Sequence, residues 1–316
     1  MIGIDVGGAN LKVVDESGVH IHYCPLWEQA PISSILKQYV ESGDEPAAVV
    51  MSGELADCFD NKLQGISFIF GEVRKAFKKA RFYGMDAQFH KEPVPELAAA
   101  NWLASADYLR EKYPRAVLLD IGSTTTDIIP LGKFDDLLGL TDLARLQKGF
   151  LIYTGMLRTN IATVLQSVDL EGVRTLVSTE YFATSADAHL VLGNICPEEY
   201  SCDTADHKEK TRAASLRRLA RVVCADLDEI GEAGALQIAR KFHERQKTAI
   251  SNAVTACVAD SSAKGIIVAG IGAPLYSREL GGANLNRELG PVADALPAFA
   301  VREIALRDQI FSHQAD

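Results

Sequence analysis

Two stretches of this chain, IGIDVGGANLKVV (residues 2–14) and AVLLDIGSTTTDIIPLGK (residues 116–133), follow one plan. In the first, Ile2, Ile4 and Val6 alternate as a strand does, Gly7-Gly8 allow a turn with positive φ, and Leu11, Val13 and Val14 restart a strand. In the second, an apolar run ends in Asp120, a glycine and small hydroxyl residues follow, and a second apolar run carries Asp127. Each hairpin sets an acid, Asp5 or Asp120, at the end of an otherwise apolar strand. A plain hairpin has no use for that acid and favours Asn-Gly at its turn. A device used twice, about a domain length apart, is the mark of an internal duplication. The chain is therefore expected to fold as two α/β halves, each opening on such a hairpin.

The remaining pattern fits that division. The first hundred residues run through the strand-like segments IGIDV, LKVVD and VHIHYC, a helix after Pro31 and the strand AAVVMS, which suggests a mixed sheet. After a Gly- and Lys-rich segment that reads as a mobile connection, PELAAANWLASADYLREKY is expected as one helix from Pro95 to Pro114. Further on, KTRAASLRRLARVVCADLDEIG spaces Leu216, Leu219, Val223, Leu227 and Ile230 on one face, with its basic residues expected in solvent. A long helix, GALQIARKFHERQKTAISNAVTACVA, then feeds GIIVAGIGAPLYSREL, an apolar strand ending in a Gly-x-Gly turn and a helix. The segment VREIALRDQI reads as a last amphipathic helix.

At 316 residues, with 47% hydrophobic and 23% charged side chains, the chain can bury two cores of ordinary size. A net charge of -10 argues against nucleic acid or an anionic membrane surface as partner, because both reward the opposite sign. The longest apolar run, around GIIVAGIGAPL, is too short to span a bilayer, and a cytoplasmic protein is expected. Six cysteines, mostly isolated in apolar segments, suit a reducing compartment. Cys196, Cys202 and His207 could supply three zinc ligands, but no fourth stands nearby, and a polar loop with incidental thiols is the alternative.

Glycine turns let backbone amides converge on an anion without any net positive charge on the chain. The first loop offers Gly7, Gly8, Ala9 and Asn10, and the second Gly122, Ser123, Thr124, Thr125 and Thr126. Two such loops face to face would hold a diphosphate, which Asp5, Asp120 and Asp127 would otherwise repel. Mg²⁺ resolves that conflict, since it is typically held by one or two carboxylates together with substrate phosphates. Lys12 offers a direct charge to the same phosphates, or is simply an exposed strand lysine.

GIDVGGANLK, DIGSTTTD and VAGIGAPL, in that order, resemble the two phosphate loops and the third, nucleotide-side glycine loop (here Gly270 and Gly272) of the actin-like phosphotransferase superfamily of sugar kinases, Hsp70 and actin. TTTD followed by YTGMLRT and ATSADAHLVLG resembles the hydantoinase and oxoprolinase branch. SGELADCF, AAANWLAS, STTTDIIP, TDLARL, YTGMLRT and DTAD are similar to a tetrahydromethanopterin-linked one-carbon family within it. These segments span nearly the whole chain. The resemblance implies two ribonuclease-H-like domains with a cleft between them, expected at residues 1–113 and 114–292, and residues 293–316 as a helix packing back on the first. It implies enzymes of methanofuran biosynthesis, one of which joins an aminomethylfuran diphosphate to the phenol of γ-glutamyltyramine with loss of pyrophosphate. Ala9 and Leu11 stand where many kinases of the superfamily carry Thr and a hydroxyl or small residue, and Ser123 where Gly is common. ATP is then a ligand the fold could admit but the reaction does not require.

For that reaction, Asp5 with Asp120 or Asp127 are the expected Mg²⁺ ligands, and Lys12 and the loop amides the partners of the leaving diphosphate. Glu54, Asp187 and His189 are candidates for the base at the phenol, with a loop acid, a helix cap and a structural histidine as their alternatives. Arg158 could fork onto phosphate or carboxylate, or form a structural ion pair. The competing readings are an ATP-dependent small-molecule kinase or ring-opening amidohydrolase, and a nucleotide-binding regulator. The expected partners are small molecules, with a homodimer left open.

Overall fold

The computed structural model describes residues 1–28, 30–40 and 45–314. The first sheet holds β1 (Ile2–Val6), β2 (Asn10–Val14), β3 (Val19–Tyr23), β4 (Ala47–Met51), β5 (Arg81–Tyr83) and β6 (Phe89–His90), in the order β3-β2-β1-β4-β5-β6. The second holds β7 (Ala116–Ile121), β8 (Thr126–Pro130) and β9 (Leu151–Ile152). A small hairpin of β10 (Ser167–Leu170) and β11 (Val173–Leu176) follows, and β12 (Gly265–Ala269) and β13 (Ala283–Asn284) complete the second sheet in the order β13-β12-β7-β8-β9. The two sheets repeat one topology. Three strands run antiparallel, and the next two lie parallel to the first on its other side.

β7 shows how the halves join. Leu118 packs into the core shared with the first sheet, while Val117, Leu119 and Ile121 pack into a second core with Ile250, Val254 and Tyr276. The alternation is the two-residue period of a strand, with each face claimed by a different half. A third core lies under the helices Ser185–Val191, Arg212–Arg221 and Leu227–Ser261. The helix Leu296–Gln314 lies across β1 and β4, where Ala298 O would sit 2.0 Å from a Cβ on Gly3 and Arg302 Nε donates to Met1 O at 3.0 Å.

Three expectations are corrected. The Gly- and Lys-rich connection contains a 15-residue helix, Lys62–Ala76, capped by Asn61, whose Oδ1 accepts from Gln64 N. Ile66, Ile69 and Val73 form its buried stripe. The segment after Pro95 is one 3₁₀ turn, Pro95–Leu97, then a break at Ala99 with φ 45°, and a helix only from Asn101 to Leu109. On the basic helix Arg212–Arg221, Arg218 is completely buried. Among the described residues no helix is long and apolar enough to cross a membrane.

Candidate active site

The two hairpins close on the same bond. Gly7 N donates to Asn10 O, and Gly122 N to Thr125 O, each at 3.0 Å. The registers match as well: Asp5 lies opposite Lys12 in β2, and Asp120 opposite Asp127 in β8. Neither Gly7 nor Gly8 takes the positive φ expected of it. Gly7 is demanded by close approach, since a Cβ there would lie 3.1 Å from Asn10 O, whereas a Cβ on Gly8 meets nothing within 4 Å. Among the described residues the amides of Gly8, Ala9, Ser123 and Thr124 donate to no protein acceptor.

Each loop rests on a glycine from elsewhere. A Cβ on Gly53, just after β4, would come within 2.9 Å of the Gly7 carbonyl, and one on Gly155 within 2.7 Å of the Ser123 and Thr124 backbones. Gly155 belongs to YTGMLRT, whose structural purpose is thereby visible: Met156 N donates to Gly122 O, and Leu157 N and Arg158 N to Ser123 O. Thr126 is part of this support. Its buried hydroxyl donates to Thr154 O at 2.7 Å and is thereby spent on the protein itself. Gln246 of the long helix ties the underside together by donating to Thr154 Oγ1 and Gly155 O. The third loop closes against the second. Gly270, with φ +80°, would put a Cβ 2.5 Å from Asp120 Oδ1, and Gly272 N donates to Ile121 O.

Electrostatics bring the loops face to face. Burial pushes Asp120 up to about 7, the Asp127 charge beside it adds to the rise, and Lys12 and Asp5 of the other sheet act on it as well. Burial likewise pushes Asp5 up to about 6, with Lys12 pulling it down. Asp5 Oδ1 is buried without a partner. An orphaned carboxylate oxygen beside a second strained acid is the feature a hard cation relieves, so Asp5 and Asp120 fit Mg²⁺. Asp127 does not join them. Its carboxylate is bound by Arg145, itself 3% exposed, which also holds Asp142 Oδ1 at 3.0 Å and lies 4.2 Å from the Trp102 ring. Of the three acids expected at the metal, Asp127 thus has a protein partner, and among the described residues no group of three or more His, Cys, Asp and Glu stands close enough to hold a metal ion. Cys196, Cys202 and His207 fall under the same finding.

The base candidates separate. Asp187 is fully buried at the head of Ser185–Val191, where Oδ2 accepts from Thr184 N and Oδ1 from Arg218 Nε, Ser215 Oγ and Tyr200 OH. His189 is fully buried, with Nε2 against Gln246 Oε1 and Nδ1 against the Asn194 amide, and burial pushes it down to about 4. Both are structural, and neither has an atom left for a substrate proton. Glu54 is different. It follows Gly53 beside the first loop, its Oε2 is buried without a partner, and burial raises its carboxyl, with Asp142 adding to the rise and Lys62 and backbone amides, Ala99 among them, opposing it. The helix Lys62–Ala76 seats it, because Gly65 lets Glu54 O come within 2.0 Å of a Cβ position. Arg158 is exposed, 5.2 Å from the Trp27 ring.

A family model described as hydantoinase/oxoprolinase matches residues 45–285. The chain belongs to the hydantoinase/oxoprolinase family. Among relatives, the (4-{4-[2-(gamma-L-glutamylamino)ethyl]phenoxymethyl}furan-2-yl)methanamine synthase of Methanocaldococcus jannaschii is 33% identical over 320 aligned residues, covering 96% of this chain and 97% of that protein. A protein of the same name from Methanococcus vannielii is 32% identical over 204 residues, covering 61% of this chain and 91% of that one. Among solved structures, nucleotide-free acetone carboxylase, described for ATP-dependent acetone carboxylation, superposes with a TM-score of 0.50 at 11% identity, covering 95% of this chain and 69% of that chain. That likeness is one of fold. The two-sheet α/β fold expected from the loops is the fold of this family member.

The site would have been incomplete from sequence alone. Gly53, Trp102, Arg145 and Gly155 lie inside SGELADCF, AAANWLAS, TDLARL and YTGMLRT, but nothing local in those segments names their partners, and Gln246 lies in the long helix with no motif of its own.

Proposed function

We propose that this protein is a biosynthetic transferase that joins a furfuryl-type diphosphate to a phenolic acceptor and releases pyrophosphate. The observation that carries the reading is the pair of matched loops whose acids and lysine act on one another across the cleft. The relatives, named as synthases of a phenoxymethylfuran amine, supply the substrate class.

The diphosphate lies between the loops and accepts from the amides of Gly8, Ala9, Ser123 and Thr124, with Lys12 facing its oxygens. The furfuryl C–O bond to the diphosphate breaks as the phenol oxygen bonds to that carbon, and charge grows on the departing oxygens. Donors aimed in advance at that charge accelerate such a step by about 10²–10³ each. Mg²⁺, held by Asp5 and Asp120, supplies further neutralisation of the leaving group when bound. Glu54 accepts the phenol proton. Its raised carboxyl suits the task, since a base nearer the operating pH takes a proton from a phenol of reference pKa about 10 with less loss than an ordinary glutamate. The products are the aryl furfuryl ether, pyrophosphate and one proton, with no nucleotide in the balance.

The test is an ATP-free incubation of the pure protein with Mg²⁺, an aminomethylfuran diphosphate and γ-glutamyltyramine. Ether and pyrophosphate are expected in a one-to-one ratio. Strict ATP dependence with release of ADP would overturn the proposal in favour of a kinase or amidohydrolase on the same loops.

A further inference from the structure

Tyr23 and Trp27 leave the first half of the molecule half-exposed, at 53% and 38%, and Tyr181 does the same from the second at 52%. Their places are tied to the loops. Tyr23 pairs with Asn10 in the β2–β3 register, Cys24 N donates to Ala9 O, and Leu26 N donates to Gly8 O immediately before Trp27. On the other side, Arg158 N donates to Ser123 O. The Arg158 guanidinium reaches over the Trp27 ring at 5.2 Å, so the two halves touch here by a cation–π contact at the edge of the cleft. The charges of Arg158 and Asp203 both act on the hydroxyls of Tyr23 and Tyr181. One patch beside both loops therefore carries three aromatic faces, one cation and two exposed anions, Asp203 and, beside Tyr23, Glu28. No fold requirement explains three large aromatic rings left in water at that place, and clustered exposed rings mark a binding surface.

We propose that Tyr23, Trp27, Arg158, Tyr181 and Asp203 form the acceptor subsite, which takes an aromatic compound bearing a zwitterionic amino-acid head. The rings pack against the tyramine portion, Arg158 pairs with the α-carboxylate, and Asp203 pairs with the α-ammonium. This assignment rests on the transferase reading for its substrate class, but its binding step stands apart from turnover. It gives Arg158 the carboxylate rather than the phosphate. It also accounts for recognition of the acceptor far from its reacting hydroxyl, where binding energy can position the phenol.

Calorimetric titration of the full chain with γ-glutamyltyramine and with tyramine, in the absence of diphosphate, tests it. The first should bind at least about tenfold more tightly, the worth of one charge-assisted contact pair. Arg158→Met should erase that difference, and Trp27→Ala should weaken both ligands alike. In steady state, Arg158→Met should raise KM for the acceptor about tenfold and leave KM for the diphosphate unchanged. Both wild-type residues are exposed, and unchanged thermal midpoints of the variants confirm that folding is not the cause. Binding without turnover would sink the transferase reading and keep the subsite. Equal affinity for the two ligands in the wild type, or loss of pyrophosphate binding in place of acceptor binding in Arg158→Met, overturns the subsite.

Discussion

The hairpins at residues 2–14 and 116–130 share a closing bond, a register and a glycine buttress, and they differ in what faces the inward acid. Asp5 looks at Lys12; Asp120 looks at Asp127. The first hairpin carries its own cation. The second imports one, because Arg145 comes from the helix Asp142–Lys148 to neutralise Asp127. The consequence is a division of labour between copies of one device. Lys12 remains available to an anionic ligand, whereas Arg145, packed on Trp102 of the first half, is spent on holding the halves together.

The sharpest way to break this comparison is Arg145→Ala. It leaves Asp127 beside Asp120 with no counter-charge, and losing one partner of a buried pair destabilises by about 3–5 kcal/mol. Denaturant unfolding should show that loss, and Asp127→Asn in the same chain should recover part of it. Unchanged stability in Arg145→Ala would mean the second hairpin needs no imported cation.

Asp5→Asn acts on the other hairpin with the opposite signature. Turnover should fall by about 10²–10³, the scale of one lost transition-state contact, while the unfolding midpoint stays level or rises because a buried charge is gone. Near-normal turnover at saturating Mg²⁺ would remove Asp5 from the site.

The glycines extend the comparison to front and back. Gly155→Ala drives a methyl into the Ser123 backbone, an overpacking expected to destabilise by about 1–3 kcal/mol. Gly8→Ala meets no protein atom within 4 Å, so its stability should move by less than about 1 kcal/mol. Pyrophosphate binding should nevertheless be lost in Gly8→Ala, since its methyl stands where the ligand approaches. Titration with pyrophosphate and thermal melts of the two variants separate the cases, and retained pyrophosphate affinity in Gly8→Ala would place the anion elsewhere.

The smallest effect is a slope. Asp5 and Asp120 are raised in the folded state, so between the ordinary carboxylate pKa and about 6–7 the native protein holds more protons than the unfolded chain. Metal-free stability should therefore fall as pH rises through that window, by about 1.4 kcal/mol per pH unit for each group. His189, pushed down to about 4, acts in reverse and favours higher pH between about 4 and its ordinary 6.5. Asp5→Asn should flatten the fall by one group's share. Parallel melting curves against pH for wild type and variant would show that Asp5 does not titrate as described.

What was legible in the sequence was whatever shows itself within a dozen residues. The hairpins were, because strand alternation and turn residues are local signals, and so was the pairing of two loops, because the pattern occurs twice. Arg145 was not, because nothing near it says that its partner is 18 residues back across a sheet. Asp187 and His189 looked chemical in ATSADAHLVLG, yet their environment comes from Arg218, Ser215 and Gln246, which only tertiary packing brings near. The helix expected from Pro95 starts six residues late because Ala99 turns left-handed, where its amide meets Glu54, a preference that alanine's helix propensity hides. Glu54 kept its candidacy for a reason sequence cannot display, an oxygen buried without a partner.

The helix Leu296–Gln314 across β1 bears on how the chain is made. Ile2 and Ile4 share one core with Leu296, Val301 and Ile304, so the strand that carries the first loop is covered by residues added almost three hundred positions later. During synthesis the first hairpin leaves the ribosome with its apolar face bare. Contacts of such long sequence separation form slowly and expose sticky surface while they wait. The second half waits less, since β7 finds its neighbour β12 once residue 269 is made, and can serve as the template on which the first is finished. The cleft is therefore completed late, when the helix Leu296–Gln314 closes over β1.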